Sequence, residues 1–178
     1  MLGNMSSISP VDNVDNFLIT LFMFKITIIT LGKIKDSWWK EAENEYRKRL
    51  SSLSKIQYIE LREEPFHDND PHEIIKKKEA EKLLKKIPEN AFLIALHEQG
   101  KEMNSKTFAN FLEKQSEKGQ EIVFIIGGPL GLHKTILDIV HLQISLSQLT
   151  FPHQMVRPIL IEQIYRASTI LQNKNYHY

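Results

Sequence analysis

The segment IIGGPLGLHKT, Ile125–Thr135, joins an apolar run to a predicted helix, a place where many proteins bind phosphate groups. Read from Gly128, it matches the P-loop pattern G-x-x-x-x-G-K-[ST], except that His133 stands where the second glycine is needed. A β-carbon and an imidazole at that position obstruct the curl of backbone N–H groups around a phosphate. The dinucleotide pattern G-x-G-x-x-G also fails, because Pro129 and Leu132 occupy two of its glycine positions. The segment matches both motifs poorly, and its role stays open at this point.

A second candidate site lies in LTFPHQMVRPILIEQIYRA, near the C-terminus. This segment places His153 and Arg157 at the start of a predicted helix, whose free N–H groups and positive dipole end attract a carboxylate or phosphate. The simpler interpretations are a capping or surface imidazole for His153 and a surface ion pair for Arg157.

One polar segment carries imidazole and carboxylate side chains of the kinds that bind zinc or iron: His67, Asp68, Asp70 and His72. They lie in a predicted loop and at a predicted helix cap, where such residues are expected without a metal. We therefore predict no metal site.

Two aromatic pairs have the side chains needed to stack on a nucleic-acid base. Trp38 and Trp39 begin the first predicted helix, and we expect one ring in the core and the other exposed, with core packing favoured over stacking. The C-terminal NYHY contains Tyr176 and His177, which could stack on an RNA base and hydrogen-bond to it, although a terminal tail usually frays.

The composition limits the class of protein. A chain of 178 residues, 42% hydrophobic and 25% charged, suits one globular domain. It has no cysteine, which excludes disulfides and thiolate chemistry and fits a cytoplasmic location. A net charge of +1 means that any nucleic-acid binding needs a local basic patch or a shaped substrate.

The first 22 residues differ from the rest, being poor in charge and ending in a short apolar run. No Lys or Arg precedes Lys25, as a secretory signal would require, and the run is too short to span a bilayer. We interpret residues 1–22 as an extension that is disordered or not native, and residues 23–178 as one domain beginning at Met23.

From Lys25 onward, β-branched runs alternate with amphipathic segments, which predicts an α/β fold with a mostly parallel sheet flanked by helices. We expect strands at Lys25–Leu31, Ile56–Leu61, Ala91–Leu96, Ile122–Ile126 and Gln143–Leu146. Helices are expected at Ser37–Leu50, His72–Ile87, Ser105–Lys118, His133–Val140 and Met155–Gln172. Asp36 and Asp70 are predicted caps, Pro71 a first-turn proline, and Gly119 a left-handed helix stop.

Ligands of open α/β sheets bind beyond the carboxyl ends of the strands. The loops at those ends read HEQGKEMN after Leu96, GGPLGLHK after Ile126 and SLSQLTFPHQMVR around Leu146. The glycines of the first two loops predict close approach to a ligand or to a neighbouring loop, with a tight turn as the simpler interpretation.

Four blocks in order, KITIITLGKIK, IIGGPLGLHK, SLSQLTFPHQMVRPILIEQIYRA and the final YHY, resemble the bacterial methyltransferases that modify N3 of a pseudouridine in large-subunit (23S) ribosomal RNA. These are minimal members of the SPOUT superfamily. The resemblance covers residues 23–178, and FPHQMVR followed by IEQIYRA is its most specific part. It implies a C-terminal trefoil knot, S-adenosylmethionine as cofactor, a homodimer whose active sites are completed by the partner subunit, and the assembled ribosome as substrate.

The resemblance also implies residue roles. Cofactor contacts fall on eight positions of the three loops: Leu96, Gly127, Leu146, Ser147, Gln148, Leu149, Thr150 and Phe151. Within this framework His153 and Arg157 are candidates for positioning the target base or its charge, and Tyr176 and His177 for recognising the target. The absence of a side chain at Gly127 would let its loop pass close to the cofactor.

Two alternatives stay open. A related knotted methyltransferase acting on transfer RNA would use the same cofactor loops. A nucleotide-binding module without catalysis would rest on the incomplete P-loop and would need Lys134 to bind ATP.

Overall fold

The computed structural model describes residues 24–172, which form a five-stranded parallel sheet with helices on both faces. The predictions for residues 1–23 and 173–178, including Tyr176 and His177, lie outside the described residues. The strands are β1 (Phe24–Leu31), β2 (Ser54–Leu61), β3 (Phe92–Glu102), β4 (Ile122–Ile126) and β5 (Leu142–Ser145). Their order in the sheet is β2-β1-β4-β3-β5, and all neighbours pair in parallel.

The helices are α1 (Ser37–Leu50), α2 (His72–Leu84), α3 (Ser105–Glu117), α4 (Lys134–Leu137) and α5 (His153–Leu171). Side chains of a strand alternate between faces, so β1 sends Ile26 and Ile28 to one core and Ile29 to the other. The first core contains apolar residues of α1, α3 and α5, and the second contains those of α2 and α4. The predicted α/β class and parallel sheet are confirmed.

Two predicted helix caps differ from the structure, although both helices begin at the predicted residues, Ser37 and His72. Asp36 holds the N-cap position of α1 without a side-chain capping bond, because its Oδ2 accepts a hydrogen bond from Gln154 Nε2 at 3.0 Å instead. Pro71, rather than Asp70, is the N-cap of α2, and Asp70 Oδ2 accepts from the backbone N–H of His67 at 2.7 Å. In both cases the carboxylate accepts a hydrogen bond from a donor other than the backbone N–H groups of the helix that follows it.

Three predicted ends are wrong. Helix α2 stops at Leu84 and α4 is a single turn ending at Leu137. Strand β3 runs on to Glu102, with an irregularity in its pairing with β5 between Leu96 and Lys101. Gly100 permits this pairing, because a β-carbon there would lie 2.6 Å from the carbonyl carbon of Ile144. Gly119 has a φ of +69°, which confirms the predicted left-handed stop after α3.

Candidate active site

A cleft of about 520 Å³ opens at the carboxyl ends of β4 and β5, beside the irregular part of β3. The three segments selected from the sequence supply most of its wall, although the first, after Leu96, continues strand β3 rather than forming a loop. Seven of the eight predicted cofactor positions line it, namely Leu96, Gly127, Leu146, Ser147, Leu149, Thr150 and Phe151. Gln148 is exposed and does not belong to the lining.

The GPLG turn forms one wall of the cleft. Gly131, with a φ of +78°, donates its backbone N–H to the carbonyl of Gly128 at 2.9 Å, and this bond closes the turn. A β-carbon at Gly127 would lie 2.8 Å from the carbonyl carbon of Gly131 and 3.0 Å from the nitrogen of Leu132. The turn folds back onto Gly127 and leaves no space for a side chain there. The sequence alone did not reveal this steric requirement.

The loop after β5 is shaped by its own serines. Ser145 Oγ donates to the carbonyl of Ser147 at 2.7 Å, and Ser147 Oγ accepts from the backbone N–H of Leu149 at 3.0 Å. These bonds turn the chain within a few residues, so Leu149 reaches the rim of the cleft with 74% of its surface exposed. The rim thus offers an apolar side chain to whatever enters the cleft.

His153, the first residue of α5, lies in the cleft wall and joins two other elements. Its Nε2 is 3.0 Å from the carbonyl oxygen of Leu31 and 3.6 Å from Glu63 Oε1. Burial lowers the pKa of His153 below 6.5, against the opposing effects of Glu63 and the Leu31 carbonyl. The imidazole is therefore neutral at pH 7, and since a carbonyl can only accept, Nε2 carries the proton and Nδ1 is left as an acceptor.

Gln154 fixes the loop after β1 against the start of α5. Its Oε1 accepts the backbone N–H groups of Lys35 and Asp36, the latter at 3.1 Å, and its Nε2 donates to the Asp36 carboxylate. Sequence reasoning did not select Gln154, because its partners lie 118 and 119 positions away. These hydrogen bonds connect the loop after β1 to the residue that follows His153 of the cleft wall.

Arg157 lies away from the cleft lining, in a buried ion-pair cluster. Its NH2 group contacts both carboxylate oxygens of Glu43 at 2.9 Å, and its NH1 group contacts Glu60 Oε1 at 2.6 Å. The side chains of Arg157 and Glu43 are 3% and 4% exposed, so this is a buried pair rather than the surface pair that was the simpler interpretation. Burial alone would lower the pKa of Arg157, but Glu43 and Glu60 raise it above its usual value. The cluster connects α1, β2 and α5.

A buried carboxylate supports the GPLG turn from the other side. Glu79 of α2 is 3% exposed, and its Oε1 accepts from the backbone N–H of Glu64 at 3.0 Å. A β-carbon at Gly128 would meet its carboxylate at 3.5 Å. Burial raises the pKa of Glu79 above 4.5. No sequence pattern singled out Glu79, which occupies an ordinary position in a lysine-rich helix.

The P-loop-like residues His133 and Lys134 make contacts with other protein groups. His133 is the N-cap of α4, since its Nδ1 accepts from the backbone N–H of Thr135 at 3.1 Å. Lys134 pairs with Asp138 at 2.6 Å on the surface and does not line the cleft. A histidine that caps a helix explains why glycine is absent there.

Within residues 24–172, no group of three or more His, Cys, Asp or Glu side chains is arranged to hold a metal ion, and His67, Asp68, Asp70 and His72 form no such group. No helix in the same range is long and apolar enough to span a membrane.

The family described as "Predicted SPOUT methyltransferase" matches residues 24–177, and the chain belongs to this family. It is an enzyme whose methyl donor is S-adenosylmethionine. It is 45% identical, over 152 residues, to the "Ribosomal RNA large subunit methyltransferase H" of Caldicellulosiruptor saccharolyticus, an alignment that covers 85% of this chain and 99% of the relative. The resemblance inferred from the four sequence blocks is confirmed.

Proposed function

We propose that this enzyme transfers a methyl group from S-adenosylmethionine to N3 of a pseudouridine in the 23S RNA of the assembled large ribosomal subunit. The observation that carries the proposal is the convergence of three loops on one cleft, in a chain that aligns with nearly the whole of a ribosomal RNA methyltransferase. The relative's name supports the ribosomal substrate, and the quoted sequence blocks support the particular base.

The cleft suits the proposed cofactor. Its volume of about 520 Å³ falls within the ~300–1,000 Å³ typical of small-molecule sites. Ile126, Ile144 and Leu146 give it an apolar floor for a flat base, and the surrounding irregular loops offer backbone N–H and carbonyl groups for the polar edges. We propose that all eight predicted positions, Gln148 included, contribute to this binding site.

The proposed methyl transfer requires few catalytic groups from the protein. The bound cofactor supplies a methyl group already activated on a sulfonium, so the enzyme has to orient N3 and remove its proton. The proposed task of His153 is to position the base and accept that proton at Nδ1, the ring nitrogen not engaged with Leu31. Arg157 is proposed as a positioning residue that acts through the first turns of α5, because its guanidinium is already paired with Glu43 and Glu60.

The proposal includes a trefoil knot in the C-terminal part of a single domain, residues 23–178, with residues 1–22 as an extension. It also includes a homodimer in which Tyr176 and His177 of one subunit recognise the target at the other subunit's cleft. Replacing His177 by Ala should then reduce methyl transfer while leaving cofactor affinity unchanged. An equal loss of both would refute the role proposed for the tail.

A ribosomal substrate also fits the near-neutral chain. A net charge of +1 provides no global attraction for RNA, and the family match occupies almost all of the chain outside the first 23 residues. We therefore propose that a preformed ribosomal surface, in the cytoplasm, supplies the specificity and that naked RNA is a poor substrate.

The transfer of labelled methyl groups to ribosomes lacking the modification tests the proposal. Free ribosomal RNA and transfer RNA serve as comparison substrates under the same conditions, and the modified position is identified by mass spectrometry of the digested RNA. We expect incorporation at one pseudouridine of the assembled ribosome. No transfer to ribosomes, or preferential transfer to transfer RNA, would overturn it.

A further inference from the structure

Trp38 is an exposed aromatic side chain on the first turn of α1. It is 61% exposed, whereas its neighbour Trp39 is partly buried. The sequence predicted one exposed ring and one packed ring, and the structure shows which is which. An indole left this open offers a flat apolar face for stacking.

The surroundings of Trp38 are basic. Lys33, Lys35 and Lys40 are all exposed, and within residues 24–172 none of the three has an ion-pair partner. Segment 32–40 holds these lysines and a single carboxylate, so it is locally positive in a chain whose net charge is only +1. We call Trp38, Lys33, Lys35 and Lys40 the Trp38 surface.

The Trp38 surface is fixed close to the cleft. Gln154 binds the backbone N–H groups of Lys35 and Asp36, and the preceding residue, His153, lines the cleft. Trp38 follows Asp36 by two positions, so their α-carbons are at most about 7 Å apart. The backbone of Trp38 therefore lies near the start of α5, whose first residue lines the cleft.

We propose that the Trp38 surface binds the RNA substrate beside the target nucleotide, with Trp38 stacking on an unpaired base and the lysines contacting phosphates. This inference rests on the proposed function. A flat aromatic face combined with unpaired cations is the arrangement that binds single-stranded nucleic acid, since bases stack and the backbone is anionic. The lysines of the Trp38 surface complement the negative charge of RNA, whereas a second copy of this chain is nearly neutral. We therefore favour RNA as the ligand of the Trp38 surface.

Steady-state methyl transfer to ribosomes lacking the modification tests the inference with the full-length enzyme. Trp38→Ala should raise the KM for ribosomes by roughly 5- to 150-fold, the effect of losing one stacked base, with kcat and cofactor affinity unchanged. Trp38→Phe should retain most of the affinity. Leu84→Ala is the matched control, an exposed apolar residue at the far end of α2 that should leave all three quantities unchanged.

The lysines give a second readout. Lys33→Ala, Lys35→Ala and Lys40→Ala should each make the negative slope of log affinity against log salt shallower by about 0.7, the value for one phosphate contact on a single strand. If wild-type enzyme methylates ribosomes but Trp38→Ala keeps the wild-type KM, the Trp38 surface is not an RNA site. If the wild type transfers no methyl to ribosomes, the proposed function itself fails. A Trp38→Ala protein that sediments differently from wild type would assign the surface to a second copy and overturn the inference.

Discussion

Gly127 and Gly128 are adjacent glycines in the cleft wall, and the structure predicts opposite outcomes for their replacement by alanine. At Gly127 the new β-carbon would lie 2.8 Å from the carbonyl carbon of Gly131, so the turn would have to move by roughly 0.5 Å to reach ordinary contact. At Gly128 the β-carbon would lie 3.5 Å from the Glu79 carboxylate, which is already ordinary contact. Neither glycine has a positive φ, so steric fit alone separates them.

The cost of this displacement can be compared with the freedom that alanine removes from the unfolded chain. Overpacking of this kind costs about 1–3 kcal/mol, which equals a 5- to 150-fold loss of cofactor affinity where the displaced turn forms the binding wall. The restriction of the unfolded chain offsets about 0.4–1 kcal/mol of the loss in folding stability and leaves the loss of cofactor affinity unchanged. Gly127→Ala should therefore bind S-adenosylmethionine at least fivefold more weakly, while Gly128→Ala should bind it as wild type does.

Isothermal titration calorimetry with S-adenosylmethionine measures this difference, and denaturant unfolding of the same variants shows that both are folded. Wild-type cofactor affinity in Gly127→Ala would refute the reasoning, since it would mean that the turn moves without affecting the site. Equal weakening in both variants would also refute it, because the steric difference between the two positions would then not matter.

Three further perturbations follow from the described contacts. Glu43→Gln removes the negative charge that pairs with the buried Arg157 guanidinium, and it should lower the free energy of unfolding, measured in urea, by about 3–5 kcal/mol. Adding Arg157→Met should restore part of the loss, because no buried charge is then left unpaired. His153 has a pKa below 6.5 in the native protein, so as the pH falls below 6.5 the unfolded chain binds a proton that the folded chain does not. The free energy of unfolding should therefore fall with pH in this range, and it should fall less in His153→Gln. Urea unfolding at a series of pH values measures both. Lys134→Ala removes only a surface pair with Asp138 and should change neither methyl transfer nor stability by more than about 0.5 kcal/mol.

Each of these has a contradicting result. Glu45→Gln, which breaks an exposed pair with Arg49, is the control for Glu43→Gln, and an equal effect of the two would show that burial is unimportant. An unchanged pH profile in His153→Gln would mean that the imidazole is not the group responsible. Measurable binding of ATP that Lys134→Ala abolishes would favour the nucleotide-binding alternative.

The elements of the fold were largely predictable, because hydrophobic periodicity is a local property. Strand β4 and helix α1 have the predicted bounds, and the three loops at the carboxyl ends of the strands do meet at one cleft. The errors occur where a distant group decides the outcome. Asp36 binds Gln154 instead of capping α1, and β3 continues past Leu96 because β5 lies alongside it.

The sequence by itself determined the class, the sheet, the family and the identity of the loops that form the site, since all of these depend on local patterns or on ordered blocks of residues. The tertiary structure decided what individual side chains do there. In the folded protein Arg157 is buried between two glutamates and His133 caps a helix. Gly127 has no room for a side chain, because the following turn folds back onto it. Each of these outcomes depends on which atoms lie within a few ångströms, and residues separated by 97 and 114 positions come that close only once the chain has folded.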